Sequence, residues 1–235
     1  MTEAARQKEL FNIIDAGMIE YSKAYGLQRE LVWKRKLGLI RDTIILAEHK
    51  PVFTIGRRGS KSNLLVREGW LKDRGLELVR TDRGGDITFH GPGQLVLYPV
   101  IDLAGFEKDL HLYIRNLEGV IIGFLLSYGV SSMRISGATG VWIESDTKIG
   151  SIGIGVTRWV TYHGLSVNVN TPLEYYDMIN SCGLESCKMT SLSSVLENYV
   201  NILEAKERLI QSFFEIFKRY GTTISSMDKK EAHLL

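Results

Sequence analysis

Residues Gly140 to Asn170 read GVWIESDTKIGSIGIGVTRWVTYHGLSVNVN. Three strand-like runs follow one another here, Val141 to Glu144, Lys148 to Thr157 and Thr161 to Asn170, each rich in Val, Ile, Thr or aromatic residues. Ser145-Asp146-Thr147 reads as a tight turn between the first two, and no helical periodicity intervenes. Parallel neighbours need a crossover of about a dozen residues or more, so strands this close must pair antiparallel. The stretch therefore excludes a doubly wound parallel sheet. It predicts an α/β fold of the α+β type, a mixed or antiparallel sheet with flanking helices.

Working outward, Thr43 to Ala47, Val52 to Ile55, Leu76 to Arg80 and Leu95 to Leu103 read as further strands, and Glu9 to Ala16 as an edge strand. Met18 to Leu37 has helical spacing (Met18, Tyr21, Tyr25, Gln28, Val32), as does Glu107 to Tyr128. Arg67 to Arg74 and Leu173 to Asn180 read as short helices, and Ser193 to Tyr220 as one helix behind a serine cap. RGGDITFHGPGQ, Arg83 to Gln94, is too glycine-rich for regular structure and reads as a loop. No repeat or linker interrupts the pattern, so one domain is expected over residues 1 to 235, with 1 to 9 and 221 to 235 as peripheral tails.

With 44% hydrophobic and 24% charged residues in 235, the chain can bury a core, which excludes wholesale disorder. A formal charge of +2 without a concentrated basic surface argues against nucleic acid as the partner. The densest basic stretches are Lys34-Arg35-Lys36 and Arg57-Arg58 with Lys61 nearby. The start MTEAARQKEL lacks an apolar signal core, and the longest apolar run, Val120 to Leu126, falls far short of the roughly 20 residues that span a bilayer. A cytoplasmic protein with no membrane association is expected. Cys182 and Cys187, five apart, make neither a disulfide framework nor a zinc motif and read as reduced thiols, with no metal implied. GRRGSKS at Gly56 fails the spacing of a phosphate-binding loop, and GSIGIG at Gly150 lies in a strand pattern rather than at a strand-to-helix turn. No nucleotide or other cofactor is predicted.

Of 23 glycines, fifteen fall between Gly84 and Gly183. The densest group, in Arg83 to Gln94, suits a loop that brings backbone amides up to a bound group, with Arg83 and His90 as directional polar contacts. Cys182 in NSCG could be a nucleophile, because a thiolate attacks acyl carbons and a nearby cation such as Lys148 favours the thiolate. The two residues are 34 apart, and spacing alone favours a buried inert thiol and a surface lysine over a working pair.

RGGDITFHGPGQLVLYPVIDL, GVWIESDTKIGSIGIGV, YHGLSVNVN and NSCGLESCKMTSL, in this order, resemble the lipoyl(octanoyl)transferase family, the octanoyl-carrier-protein:protein N-octanoyltransferases of lipoate synthesis. YSKAYGLQRELV and ILAEHKPVFTIGRRG fit the same family, so the likeness covers roughly residues 10 to 200. It implies the fold of the biotin and lipoate protein ligase catalytic domains. It also implies transfer of an octanoyl group from octanoyl-acyl-carrier protein to the lysine of a lipoyl domain, of 2-oxoacid dehydrogenases or of the glycine-cleavage carrier protein. By the same resemblance Cys182 is the acyl-thioester nucleophile, and Lys148 assists its ionisation and serves as acid and base. Arg83, Gly84, Gly85, Asp86, Ile87, Thr88, Phe89 and His90 match the loop lining the acyl cavity. Ser151, Ile152 and Gly153, and Gly164, Leu165 and Ser166 after a supporting His163, match two further substrate-contact stretches. Ser181 replaces the proline common before the family cysteine, and Cys187 is additional, read as a small apolar filler. Arg57, Arg58 and Lys61 would face the acidic donor. The alternative is an ATP-dependent lipoate or biotin ligase on the same fold, which needs ATP and no cysteine.

Overall fold

The computed structural model describes residues 11–105, 108–181, 187–217 and 224–226. Residues 1 to 9 and most of the tail beyond 221 lie outside them, as do Glu107, at the start of one expected helix, and Tyr220, at the end of another. The chain runs through β1 (Phe11–Ile19), α1 (Tyr21–Lys36), β2 (Asp42–His49), β3 (Val52–Ile55), α2 (Glu68–Asp73), β4 (Glu77–Arg80), β5 (Ile87–His90) and β6 (Gln94–Val100). It continues with α3 (Leu110–Leu126), β7 (Met133–Ile135), β8 (Ala138–Trp142), β9 (Thr147–Thr157) and β10 (Val160–Asn168). Last come a 3-10 turn (Leu173–Met178), β11 (Lys188–Met189), α4 (Leu192–Leu196), α5 (Ile202–Phe217) and β12 (Ile224–Ser226).

The larger sheet is ordered β12-β1-β2-β6-β10-β9-β8-β7, with β11 beside β9. Its central strands β2, β6, β10, β9 and β8 pair antiparallel, whereas β1 is parallel to β2 and β12, so the sheet is mixed as expected. β9 turns into β10 through Arg158 and Trp159, both at positive φ (50° and 66°). Two such residues match the right-handed twist of the flanking strands. Trp159 makes the strain tolerable by packing on the core and accepting the Leu103 N–H at its carbonyl (2.8 Å).

Alternation along the strands sorts two cores. Ile44, Leu46, Leu95, Leu97, Leu165 and Val167 pack under α3 and α5, with Leu117, Phe124, Leu209 and Phe213. Their neighbours Ile45, Ala47, Val96, Tyr98 and Val100 pack with Ala24, Leu31 and Val32 of α1. A smaller sheet, β4-β3-β5, closes a third core of Phe53, Ile55, Leu71, Ile87 and Phe89 over the 3-10 turn, which adds Tyr176.

Four expectations are corrected. The first strand is flanked on both sides, by β2 and β12, and is not an edge. The first helix starts at Tyr21 because Met18 and Ile19 are still paired with Glu48 and His49 of β2. Ile87–His90, expected as loop, is a strand: pairing with all four residues of β3 outweighs the glycines around it. The long C-terminal helix is two helices. Glu197 takes a left-handed conformation (φ 52°) after α4, which Ser191 caps, and the Asn170 side chain then holds both backbone groups of Val200. Asn201 caps α5 at the Leu203 and Glu204 N–H groups.

Candidate active site

A cavity of about 410 Å³ opens between the central sheet, β5 and the β7–β8 hairpin. It is built on β9 and β10, where Ser151 pairs with Ser166, Ile152 with Leu165 and Gly153 with Gly164. The two stretches singled out from the sequence are thus one patch of adjacent strands, and all six residues line the cavity. Gly153 lets a second segment lie flat on this patch: a Cβ there would come within 2.8 Å of the Gly84 carbonyl oxygen. Gly84 in turn donates its N–H to the Ile154 carbonyl (2.8 Å).

The Arg83 to Asp86 segment is held as firmly on its other side. Gly56, Arg57 and Arg58 donate their backbone N–H groups to the carbonyls of Asp86, Arg83 and Gly85 at 2.9–3.2 Å. The buried Arg83 guanidinium donates to the Thr54 hydroxyl and carbonyl and to the Gly84 and Asp86 carbonyls (2.6–3.1 Å). Arg83 lines the cavity, with Gly84, Gly85 and Asp86, and it also folds the loop on which ligand would lie. The Asp86 carboxylate accepts from Asn63 and from the Ile87 N–H. Thr88 and His90 line the cavity, and Ile87 does so while packing in the third core. Phe89 does not line it; fully buried, it stacks on Tyr175 (4.3 Å between ring centroids) in that core.

Three buried histidines stand beside the cavity in a network of aromatic and polar side chains. Gln94 fixes the first: its amide nitrogen faces the Phe89 carbonyl (3.1 Å) and the Asn168 side-chain oxygen, which only accept, so its oxygen faces His90 and His90 Nδ1 carries the proton. Burial, with His49 and Arg83 nearby, holds His90 well below the usual imidazole range, so it is neutral and its Nε2 is an acceptor. His49 donates from Nδ1 to the Ile19 carbonyl and accepts from the Tyr98 hydroxyl (2.6 Å), and burial pulls it down to about 4. His163 donates Nε2–H to Asp82 (2.9 Å). Burial outweighs that carboxylate and pulls His163 to about 4 as well. Its backbone sits at φ 55°, and its buried Nδ1 finds no hydrogen-bond partner among the described residues. Strained backbone of this kind clusters at functional sites.

Lys148 enters from β9, 2% exposed, and its Nζ donates to the Thr139 carbonyl (2.9 Å) and lies 5.2 Å from the Trp142 ring centroid. It lines the cavity together with Gly137, Ala138 and Thr139 of the hairpin. Cys182 lies outside the described residues. The flanking chain is anchored beside the lysine: Met189 of β11 pairs with Lys148, and Thr190 N–H donates to the Lys148 carbonyl. On the other flank Asn180 donates to the Asn63 carbonyl, and Ser181 is buried. Cys187 is partly exposed, not a core filler. Sequence reasoning missed Tyr21, Tyr98, Thr139 and Trp142, which line the cavity from three separate elements, α1, β6 and β8. A hydroxyl in the otherwise apolar run LVLYPV was the one signal, and the others carry none.

Among the described residues no helix is long and apolar enough to cross a membrane, and no group of three metal-binding side chains occurs. Residues 20–214 match the lipoyl protein ligase A/B catalytic domain family. The octanoyltransferase of Geotalea uraniireducens is 43% identical over 198 residues, 84% of this chain and 89% of that protein. That of Geobacter metallireducens is 42% identical, covering 86% of this chain and 91% of its own length. In fold the chain resembles the bi-partite lipoate protein ligase of Thermoplasma acidophilum, with a TM-score of 0.74 at 17% identity over 96% of this chain and 90% of that one. By its sequence over nearly all of the sheet that builds this cavity, the chain belongs to the lipoyl protein ligase A/B catalytic domain family and, with its octanoyltransferase relatives, is an acyltransferase.

Proposed function

We propose that this protein transfers an octanoyl group from an octanoyl-acyl-carrier protein to the lysine amine of a lipoyl domain, through a thioester on Cys182. The supporting observation is Lys148, buried in the wall of a cavity within the range of about 300–1,000 Å³ usual for small-molecule sites, with the chain that follows Cys182 paired to it. In the first half-reaction the Cys182 thiolate attacks the donor's thioester carbon. The bond to the carrier's thiol breaks, and that thiol leaves with a proton given by the Lys148 ammonium, which is thereby neutral for the next step. One thioester replaces another, so no ATP is needed. In the second, the lipoyl-domain amine attacks, a C–N bond forms, the bond to Cys182 breaks, and Lys148 takes the amine's proton. Ile152, Leu165 and Trp142 supply apolar wall for the chain, each methylene buried contributing about 0.8 kcal/mol.

The test is to mix octanoyl-acyl-carrier protein with Cys182→Ala and Cys187→Ala proteins, without ATP, and weigh them. The expected result is an octanoyl adduct on Cys187→Ala and none on Cys182→Ala, with turnover to a lipoyl domain only in the former. An adduct on Cys182→Ala alone would overturn the assignment, and transfer that requires ATP would point to the ligase chemistry instead.

A further inference from the structure

Glu118 lies in the middle of α3, away from the cavity lining, and is completely buried. A carboxylate without water is costly unless its oxygens are filled. Here they are: Oε2 accepts from Arg115 Nη1 (2.7 Å) and Arg134 Nε (3.1 Å), and Oε1 accepts from the backbone N–H of Gly140 (3.1 Å). Arg134 also donates to the Arg115 carbonyl (2.9 Å), so the β7–β8 hairpin is clamped to α3 at two points. The hairpin closes the edge of the sheet at β7, where nothing else among the described strands pairs with it.

Gly140 is the point where this clamp meets the lysine. It sits at φ 127°, and a Cβ there would overlap Lys148 Cε and come within 2.9 Å of Nζ. The residue before it, Thr139, supplies the carbonyl that receives the Nζ proton. One peptide unit therefore carries both the carbonyl that orients the ammonium and the N–H that Glu118 holds.

We infer that Glu118 is a positioning residue for the reaction: by fixing the Thr139–Gly140 peptide against α3, it sets where the Lys148 amine sits in the cavity. The inference rests on the role proposed above for Lys148. It explains why a charged side chain is kept in an otherwise apolar helix face, and why a glycine stands in β8. It also separates two duties on α3, whose remaining buried residues pack the core while Glu118 serves the opposite wall of the hairpin.

The experiment uses the full-length protein carrying Cys187→Ser, so that Cys182 is its sole thiol, and follows the pH dependence of alkylation by iodoacetamide together with turnover. Gly140→Ala and Arg134→Gln are compared with Lys148→Ala, each checked for folding by its thermal midpoint. Arg134 is 41% exposed, so its replacement loosens the clamp without emptying a buried site. Both variants are expected to raise the alkylation midpoint by about one pH unit and to lower kcat, up to about 10²-fold for Gly140→Ala, with donor KM unchanged. Folded variants with the parent's pH midpoint and kcat, beside a Lys148→Ala protein that shifts both, would overturn the positioning role alone. If Lys148→Ala itself leaves both unchanged, the lysine's proposed role falls and the inference with it.

Discussion

The two faces of the central sheet are made by the same strands and do opposite things. Toward α3 and α5, Leu95, Leu97, Leu165 and Val167 meet Leu117, Phe124 and Phe213 in a close-packed apolar layer. Toward α1, the residues in between include Tyr98, Ser166 and Gly164, and they meet Tyr21, His49, His90 and His163 around a cavity. One face is filled and the other is left partly open, with buried polar groups tied to one another. The difference teaches that packing and chemistry are largely sorted here by side-chain parity, one residue apart along each strand, with Leu165 and Ile152 serving both by packing on the core and lining the cavity. Substitutions of odd and even positions should therefore separate in their effects.

The largest effect belongs to the filled face. Phe213 is fully buried, stacked on Phe217 at 4.4 Å and edge-on to Phe11 at 5.6 Å between ring centroids. Phe213→Ala should cost about 3–5 kcal/mol in unfolding free energy, from lost transfer energy and the cavity left behind. Below the lowered melting transition, acyl transfer per folded molecule should remain within about twofold of the parent, because nothing of α5 lines the cavity. A large fall in kcat at full folding would show that the two faces are coupled through β9 and β10.

The parity that separates the faces was legible in the sequence, and the site only in part. Three closely spaced strands in Gly140 to Asn170 required antiparallel pairing, and they became β8, β9 and β10. What failed was local reading where tertiary contacts prevail. Ile87–His90 looked like loop because its pairing partner, Val52–Ile55, lies 35 residues upstream. Ser193 to Tyr220 looked like one helix because no spacing reveals that Asn170 pins Val200. In the site, the glycines of β9 were visible as an excess, but their reason was not: Gly153 admits the backbone of Gly84, a residue 69 positions away. Arg83 is expected as a polar contact in a glycine-rich loop, and it does line the cavity, but its hydrogen bonds to Thr54 and to the Gly84 and Asp86 carbonyls are an arrangement that only folding brings about.

A smaller effect distinguishes the open face by pH. His49, held near 4 by burial, stays neutral in the folded protein while the unfolded chain takes up a proton near the usual 6.5. Its contribution is therefore complete above about pH 6.5 and is lost as pH falls toward 4, by about 3 kcal/mol in all. His163, pulled to about 4 by burial, acts in the same direction. Urea midpoints should fall steeply between pH 6.5 and 4, and His49→Gln should make that slope shallower although it lowers the midpoint at pH 7. Parallel slopes for the two proteins would mean that acid weakens some other part of the structure first.

The smallest effect concerns the rim of the open face. Arg58 is exposed and reaches the cavity lining, whereas Lys61, expected to face the donor with it, pairs with Glu68 at 2.7 Å. If an acidic carrier protein approaches here, Arg58 contributes long-range attraction more than a fixed contact, and salt screens it over about 10 Å at 0.1 M. Arg58→Glu should raise donor KM several-fold at low ionic strength, and the difference from the parent should shrink toward nothing at 0.5 M salt, with kcat unchanged. Lys61→Ala should do less, since its charge is already partly answered by Glu68. A short octanoyl thioester without the protein carrier gives the decisive comparison. It lacks the acidic surface, so Arg58→Glu should leave its KM alone. An equal rise in KM for both donors would place Arg58 in the handling of the acyl group itself, and the rim would then belong to the cavity rather than to the partner.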